Sequence, residues 1–242
     1  MSTVHLALVR HGQSEWNLQN RFTGWVDVDL TQKGIAEATK SGDLLAQTGI
    51  EFVAAYTSVQ KRAIRTLWLA LTQMNRMWLP VTKNWQLNER HYGGLTGLDK
   101  QETRDKHGDE QVHIWRRSYD IPPPAIDGDN PHNPNKDPQY AGLRPDQLPQ
   151  SESLKMTLDR VQPYWEAEIA PKLQNGQSLV ISAHGNSLRA LVKLLMDVSD
   201  EDIPGIEIPT GNPLLIELEG AALKPISARY LDAERAKTLP PL

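Results

Sequence analysis

Apolar residues fall into short continuous runs separated by stretches with helical spacing. Residues 4–9 (VHLALV) form a near-continuous apolar run that stops at Arg10-His11-Gly12, the pattern of a strand covered on both faces of a parallel sheet. Thr31 then opens a helix whose apolar positions, Ile35, Ala38, Leu44 and Leu45, continue up to Gly49, a residue suited to a left-handed cap. Residues 52–56 predict a second strand. Ser58 stands where it would cap the next helix, which runs through Leu71 with Ala63, Ile64, Leu67, Trp68 and Leu71 on one face. Arg62 and Arg65 fall on or beside its first turns. A helix over 152–169, an apolar strand over 179–183 ending at His184-Gly185, and a last helix carrying Leu188, Leu191, Val192 and Leu195 complete the pattern. Strands alternating with helices predict an α/β fold, a three-layer sandwich with a mostly parallel central sheet flanked by helices.

Between residues 120 and 150 the periodicity disappears and eight of the 17 prolines accumulate, beginning with Pro122-Pro123-Pro124. An insertion that long inside a compact domain predicts a functional lid more than a domain boundary. The chain is therefore expected to be one domain, 1–242, with a Pro-rich insertion at 120–150 and a C-terminal tail at 228–242.

Composition narrows the function classes. With 242 residues, 39% hydrophobic and 23% charged, the chain can bury a sizeable core and is too apolar for disorder. Cysteine is absent, which excludes a disulfide scaffold and a thiol nucleophile. The polar start, Met1-Ser2-Thr3, has neither a basic stretch nor a small-residue cleavage site, and every apolar run is too short for a bilayer, so a cytoplasmic location is expected. A formal net charge of -4 argues against nucleic acid or anionic membrane as partner. Any anion site must then be local.

Two segments echo each other: LALVRHGQS at 6–14 and LVISAHGNS at 179–187. Each is a buried strand followed by His-Gly, an amide residue and Ser. Both histidines would leave the carboxyl ends of parallel strands, where α/β sheets place ligands, so two imidazoles could face one pocket. Gly after each His lets backbone approach a ligand, and the polar residues sit where a helix begins, with free N–H groups for an anion. A single His-Gly pair would read as structural. Its repetition, with Arg10 beside one copy and Arg62 at a strand-to-helix turn on the same sheet edge, predicts a phosphate cradle.

Five blocks extend this picture: Arg10 to Asn17 (RHGQSEWN), Arg21 to Trp25 (RFTGW), Leu87 to Gly93 (LNERHYG), Trp115 to Tyr119 (WRRSY) and His184 to Ser187 (HGNS). In this order, with the Pro-rich insertion after Arg117, they resemble the signature of the cofactor-dependent phosphoglycerate mutases of the histidine phosphatase superfamily. The resemblance spans most of the chain and implies that superfamily's fold. It makes His11 the nucleophile that accepts phosphate, with Arg10, Arg62 and His184 around the transferring group and Glu89 shuttling the substrate hydroxyl proton. Asn17 and the backbone of Gly185 and Asn186 would add donors. Ser14, Thr23, Gly24, Tyr92, Lys100, Arg116, Arg117 and Asn186 would hold the carboxylate and second phosphate. The implied reaction interconverts 3- and 2-phosphoglycerate, with 2,3-bisphosphoglycerate as primer, no metal, and minor bisphosphoglycerate synthase and phosphatase activities. A homo-oligomer, a dimer by preference, is implied too. Chemistry agrees, because a neutral imidazole can attack phosphorus while fixed cations stabilise charge on the equatorial oxygens.

Departures from the family pattern are Gly94 in place of Ala, Asn212-Pro213 in place of Ile-Pro, and a short, proline-ended tail. Two other readings compete: a histidine phosphatase for a small metabolite, and a phosphate-binding scaffold without catalysis. Thr23-Gly24, Lys100 and Arg116-Arg117 speak for the mutase over the first, and the intact His11, Glu89 and His184 speak against the second. Seven histidines raise the question of zinc, but no His-Glu-x-x-His or cysteine spacing occurs.

Overall fold

The structure, a computed structural model, describes residues 3–241; Met1 and Ser2 of the polar start and Leu242 of the expected tail lie outside the described residues. Six strands form one sheet: β1 (Thr3–Arg10), β2 (Phe52–Thr57), β3 (Val81–Lys83), β4 (Ser178–Ala183), β5 (Leu214–Glu219) and β6 (Lys224–Tyr230), in the order β3-β2-β4-β1-β5-β6. The first four run parallel, while β5 pairs antiparallel with both β1 and β6. The sheet is thus a parallel body with an antiparallel hairpin on one side.

The helices are α1 (Glu15–Leu18), α2 (Gln32–Gln47), α3 (Lys61–Gln73), α4 (Lys100–His107), α5 (Asp109–Arg117), α6 (Leu154–Tyr164), α7 (Ala170–Gln174) and α8 (Gly185–Met196). None of the described helices is long and apolar enough to cross a membrane. Side chains alternate across a strand, so β1 serves two cores. Val4, Leu6 and Leu8 join the core built with α6, α7 and α8, whereas Ala7 and Val9 join the one built with Leu45 of α2 and Leu67 and Leu71 of α3. This is the expected three-layer arrangement.

Local chemistry explains most boundaries. The Thr31 hydroxyl accepts the Gly34 N–H and caps α2, and Gly49 follows that helix with φ +67, as expected for a left-handed stop. Ser58 departs from expectation. The cap position of α3 is Gln60, and the Ser58 hydroxyl instead lies 2.7 Å from His184 Nε2. Trp68 is 49% exposed rather than part of the buried face of α3. The helix expected over 152–169 begins after Ser153 and loses α geometry at Trp165–Ile169, a π turn two residues beyond Pro163, whose ring nitrogen gives no hydrogen bond to the fourth residue back.

The insertion is not structureless. It contains three short 3-10 turns, Pro134–Lys136, Pro138–Tyr140 and Pro145–Gln147. It packs at the back of the segment that carries Glu89: Tyr140 is buried with its ring 4.7 Å from that of Trp25, and its hydroxyl accepts from Asn88 Nδ2 at 3.1 Å. The start of the expected tail, 228–230, belongs to β6. Beyond it, Asn212 and Asp232 exchange two hydrogen bonds of 2.9 Å, which gives the buried Asn212 a fastening role that Ile could not perform.

Candidate active site

The register of the sheet sets the site. Arg10 is paired with Ala183 across β1 and β4, so the next residues, His11 and His184, leave the sheet at the same level. The His11 N–H donates to the Ala183 carbonyl at 3.0 Å, and the two imidazole centroids are 5.0 Å apart. Gly12 makes this turn possible. A Cβ there would lie 2.1 Å from the Gly34 carbonyl oxygen, and a Cβ on Gly34 would lie 2.1 Å from that of Gln13.

His11 is buried, and burial, followed by the charges of Arg62 and Arg10, holds its imidazole well below the ordinary value. The ring is neutral at pH 7. Its Nδ1 lies 2.7 Å from the Gly12 carbonyl, which can only accept, so the proton sits on Nδ1 and Nε2 keeps its lone pair. His184 is likewise held neutral by burial and then by Arg62, with Nε2 against Ser58 and a buried, unpartnered Nδ1.

A cleft of about 210 Å³ opens over His11. Arg10, Asn17, Thr23, Arg62, Glu89, Tyr92, Lys100, Arg116, Arg117, Gly185 and Asn186 line it, so most of the residues expected from sequence meet here. The first helical turn of α4 and the last of α5 bring Lys100, Arg116 and Arg117 in, over a small core of Phe22, Leu95 and Val112. Arg10 donates to the Ile208 carbonyl, and Arg62 to those of Val26 and Gly24, each at 2.8 Å. The Nε groups of Arg10 and Arg62 are buried without a partner. Buried donors of that kind fit an anion.

Four expected contacts are placed differently. His184 is fully buried with Nε2 against Ser58 and is not part of the cleft lining. Ser14 lies off the cleft wall: its hydroxyl accepts the Asn17 N–H at 3.2 Å and its own N–H donates to Asn17 Oδ1 at 3.1 Å, so it sets the position of Asn17. Gly24 turns its carbonyl to Arg62 and Gln60. The Asn186 N–H, expected to serve the transferring phosphoryl group, donates instead to Glu89 Oε1 at 3.1 Å, because that carboxylate already occupies the start of α8. The insertion contributes no residue to the cleft lining, whereas Lys237 of the tail does.

Sequence reasoning missed several groups. Arg160 donates to the carbonyls of Gln86, Asn88 and Glu89 and pairs with Glu152, whose carboxylate also accepts the His91 N–H at 2.7 Å. Together they clamp the backbone around Glu89. Arg189 and Glu207 also line the cleft, beside Arg21 of the RFTGW block and Lys237 of the tail. Arg189 stands three residues after Asn186 at the start of a helix, a spacing that could have revealed it.

His11, Glu89 and His184 bring ligand-type atoms within 4.8 Å of one another, the one such trio among the described residues. Arg10 and Arg62 crowd the same space, so the electrostatics favour an anion over a cation.

Comparison with known proteins agrees with this geometry. Residues 6–136 match the histidine phosphatase superfamily (branch 1). A 2,3-bisphosphoglycerate-dependent phosphoglycerate mutase of Maricaulis maris is 63% identical over 98% of this chain and 98% of its own, and one of Hyphomonas neptunium is 64% identical over the same shares. Among solved structures, a Bacillus anthracis phosphoglycerate mutase superposes with TM-score 0.64 at 21% identity, covering 90% of this chain and 89% of its own. A mycobacterial glucosyl-3-phosphoglycerate phosphatase gives TM-score 0.68 at 19% identity, over 94% and 97%. These two share the fold. A neutral histidine over a cationic cleft, a superfamily match across more than half the chain and near-full-length relatives lead to one conclusion: the chain belongs to the histidine phosphatase superfamily and, within it, to the 2,3-bisphosphoglycerate-dependent phosphoglycerate mutases.

Proposed function

We propose that this chain interconverts 3-phosphoglycerate and 2-phosphoglycerate, a step of glycolysis and gluconeogenesis, through a phosphohistidine on His11. The observation that carries the chemistry is His11 itself, neutral, with Nδ1 committed to Gly12 and Nε2 left with its lone pair. In one direction Nε2 forms the N–P bond as the bond from phosphorus to the glycerate oxygen breaks, and Glu89 gives that oxygen a proton. In the other, Glu89 takes the proton of a glycerate hydroxyl as its oxygen attacks phosphorus and the P–N bond breaks. Bound 2,3-bisphosphoglycerate supplies the phosphoryl group that primes His11.

Arg10, Arg62 and His184 surround the charge that spreads over the equatorial oxygens. Asn17 adds a donor there, and Thr23, Tyr92, Lys100, Arg116 and Arg117 hold the carboxylate and the second phosphate, with Gly185 and Asn186 on the wall, Gly24 acting through Arg62 and Ser14 through Asn17. The whole chain acts as one catalytic domain, since the cleft draws on residues from Arg10 to Lys237. A homodimer fits the exposed Trp68, Met77 and Trp78, at 49%, 56% and 68%, the last two just before the short edge strand β3. A glycolytic substrate fits a cytoplasmic location.

The test is to incubate the protein with 3-phosphoglycerate, with and without 2,3-bisphosphoglycerate, and follow 2-phosphoglycerate. Formation that depends on the bisphosphate is expected. Release of inorganic phosphate without isomerisation would instead make the chain a phosphatase. The arginines carry the charge that Mg²⁺ carries in other phosphoryl transfers, so EDTA is expected to leave the rate unchanged. Activity lost to EDTA and restored by a divalent ion would bring a metal into the reaction.

A further inference from the structure

Three donors converge on Glu89 Oε1, one from the Arg90 N–H at 2.8 Å and two from Asn186. Asn186 donates to Glu89 Oε1 from its backbone N–H at 3.1 Å and from Nδ2 at 3.0 Å, and Nδ2 also lies 3.3 Å from the Tyr92 hydroxyl. Its remaining group, Oδ1, accepts Arg189 Nη1 at 3.1 Å. A guanidinium can only donate and an ionised carboxylate can only accept, so these neighbours allow one orientation of the amide. Turned over, Asn186 would set its carbonyl oxygen against the carboxylate of Glu89.

Arg189 is well placed to prevent that. It is 5% exposed on the first turns of α8, and its Nη2 donates to the Ile203 carbonyl at 2.6 Å, which ties the guanidinium to the loop that continues into the cleft wall at Ile206. Burial pulls its pKa down to about 10, which still leaves it charged at neutral pH. It has no carboxylate partner among the described ion pairs. A buried arginine with no counter-ion is costly to keep unless its donors serve something specific.

We propose that Arg189 is a positioning residue for proton transfer: it fixes the Asn186 side-chain amide so that Nδ2 joins the backbone N–H groups of Arg90 and Asn186 in holding the Glu89 carboxylate where a substrate hydroxyl meets it. The inference rests on the role given to Glu89 above. Small errors in the placement of a reacting group cost one to two decades in rate.

A double-mutant cycle tests it, with Arg189→Met, Glu89→Gln and the double variant, each followed by mutase turnover and by single-turnover labelling of His11 from 2,3-bisphosphoglycerate. In the parent, Arg189→Met is expected to lower kcat roughly 10- to 100-fold with KM within about threefold. In the Glu89→Gln background the same change is expected to cost no more than about twofold, since the group it serves is gone. Arg189→Lys, which keeps one donor for Oδ1, is expected to recover part of the loss and replaces Arg189→Met if that variant fails a thermal melt. An equal fall in both backgrounds overturns the proposal, because general structural damage does not depend on Glu89. A rise in KM of the same size in the parent and in the Glu89→Gln background would make Arg189 a direct anion contact and likewise overturn it. If Glu89→Gln alone leaves the rate intact, the error lies in the role of Glu89 itself.

Discussion

Lowering the pH from 7 to 5 should weaken this fold through a histidine beside Glu89. His91 lies fully buried two residues after Glu89, and burial pulls its imidazole down to about 4. Its Nδ1 accepts the Gly93 N–H at 3.0 Å, a bond that a protonated ring cannot make. In the unfolded chain the same ring titrates near its ordinary value, about 6.5. Between those two values the unfolded chain binds more protons than the folded one, so the contribution is fully present above about 6.5 and is lost as pH falls towards 4. At pH 5 the unfolded ring is almost wholly charged and the folded ring about nine-tenths neutral, which costs about 2 kcal/mol relative to pH 7. His11 and His184, both held well down by burial and then by Arg62, act in the same direction. Carboxylates do not confuse the window: Asp232, held at about 2 by Lys40 and Arg235, loses its contribution only below about 4. Urea midpoints at pH 7 and pH 5, compared between the parent and His91→Gln, measure the effect. The pH-dependent drop should shrink by about 2 kcal/mol in the variant. An identical drop in both proteins would refute the assignment to His91, and no drop in either would refute the neutral buried histidines altogether.

The remaining predictions concern turnover. His11→Ala should abolish acid-labile labelling from 2,3-bisphosphoglycerate, because no other side chain in the turn offers a nucleophile; label that persists would mean another residue takes the phosphate. Glu89→Gln should lower the rate by roughly two to four decades while substrate still binds, and an unchanged rate would reduce Glu89 to a structural role. Removing residues 236–242 should raise the ratio of bisphosphate hydrolysis to mutase turnover with His11 labelling retained, since Lys237 lies at the cleft mouth 3.6 Å from Glu207. The cut must fall there, because one at residue 228 would shorten β6 and break the Asn212–Asp232 pair. A ratio that does not move would mean the tail excludes no water.

The strands β1, β2 and β4 were legible because burial on both faces leaves continuous apolar runs, and α2, α3 and α8 because their stripes face one core. The others carry weaker signals: β3 is three residues long, and β6 is an edge strand with Pro225 and mostly exposed or half-buried positions. Within the site, many of the residues that touch the cleft stood in recognisable blocks, while Arg189 and Glu207 did not. Ser58 misled because a hydroxyl just before a helix suggests a cap, whereas His184, against which it packs at 2.7 Å, lies 126 positions away, immediately after the neighbouring strand β4. Arg160 and Glu152 escaped for the same reason. Inside an amphipathic helix pattern an arginine reads as solvated surface, and only the fold reveals that it holds three carbonyls of a distant loop.

The facing glycines under His11 limit how this catalyst can be altered. With Gly12 packed on the Gly34 carbonyl and Gly34 on that of Gln13, the turn rests on main chain against main chain, with no side chain between that could trade size or polarity. Cores usually tolerate volume exchanged between neighbours. Here there is no volume to exchange, so a methyl group at either position has to push α2 away from the turn that carries His11, and no compensating truncation exists on the other side. Variation that retunes this enzyme must enter through the cleft wall or the tail, while the seat of His11 stays fixed.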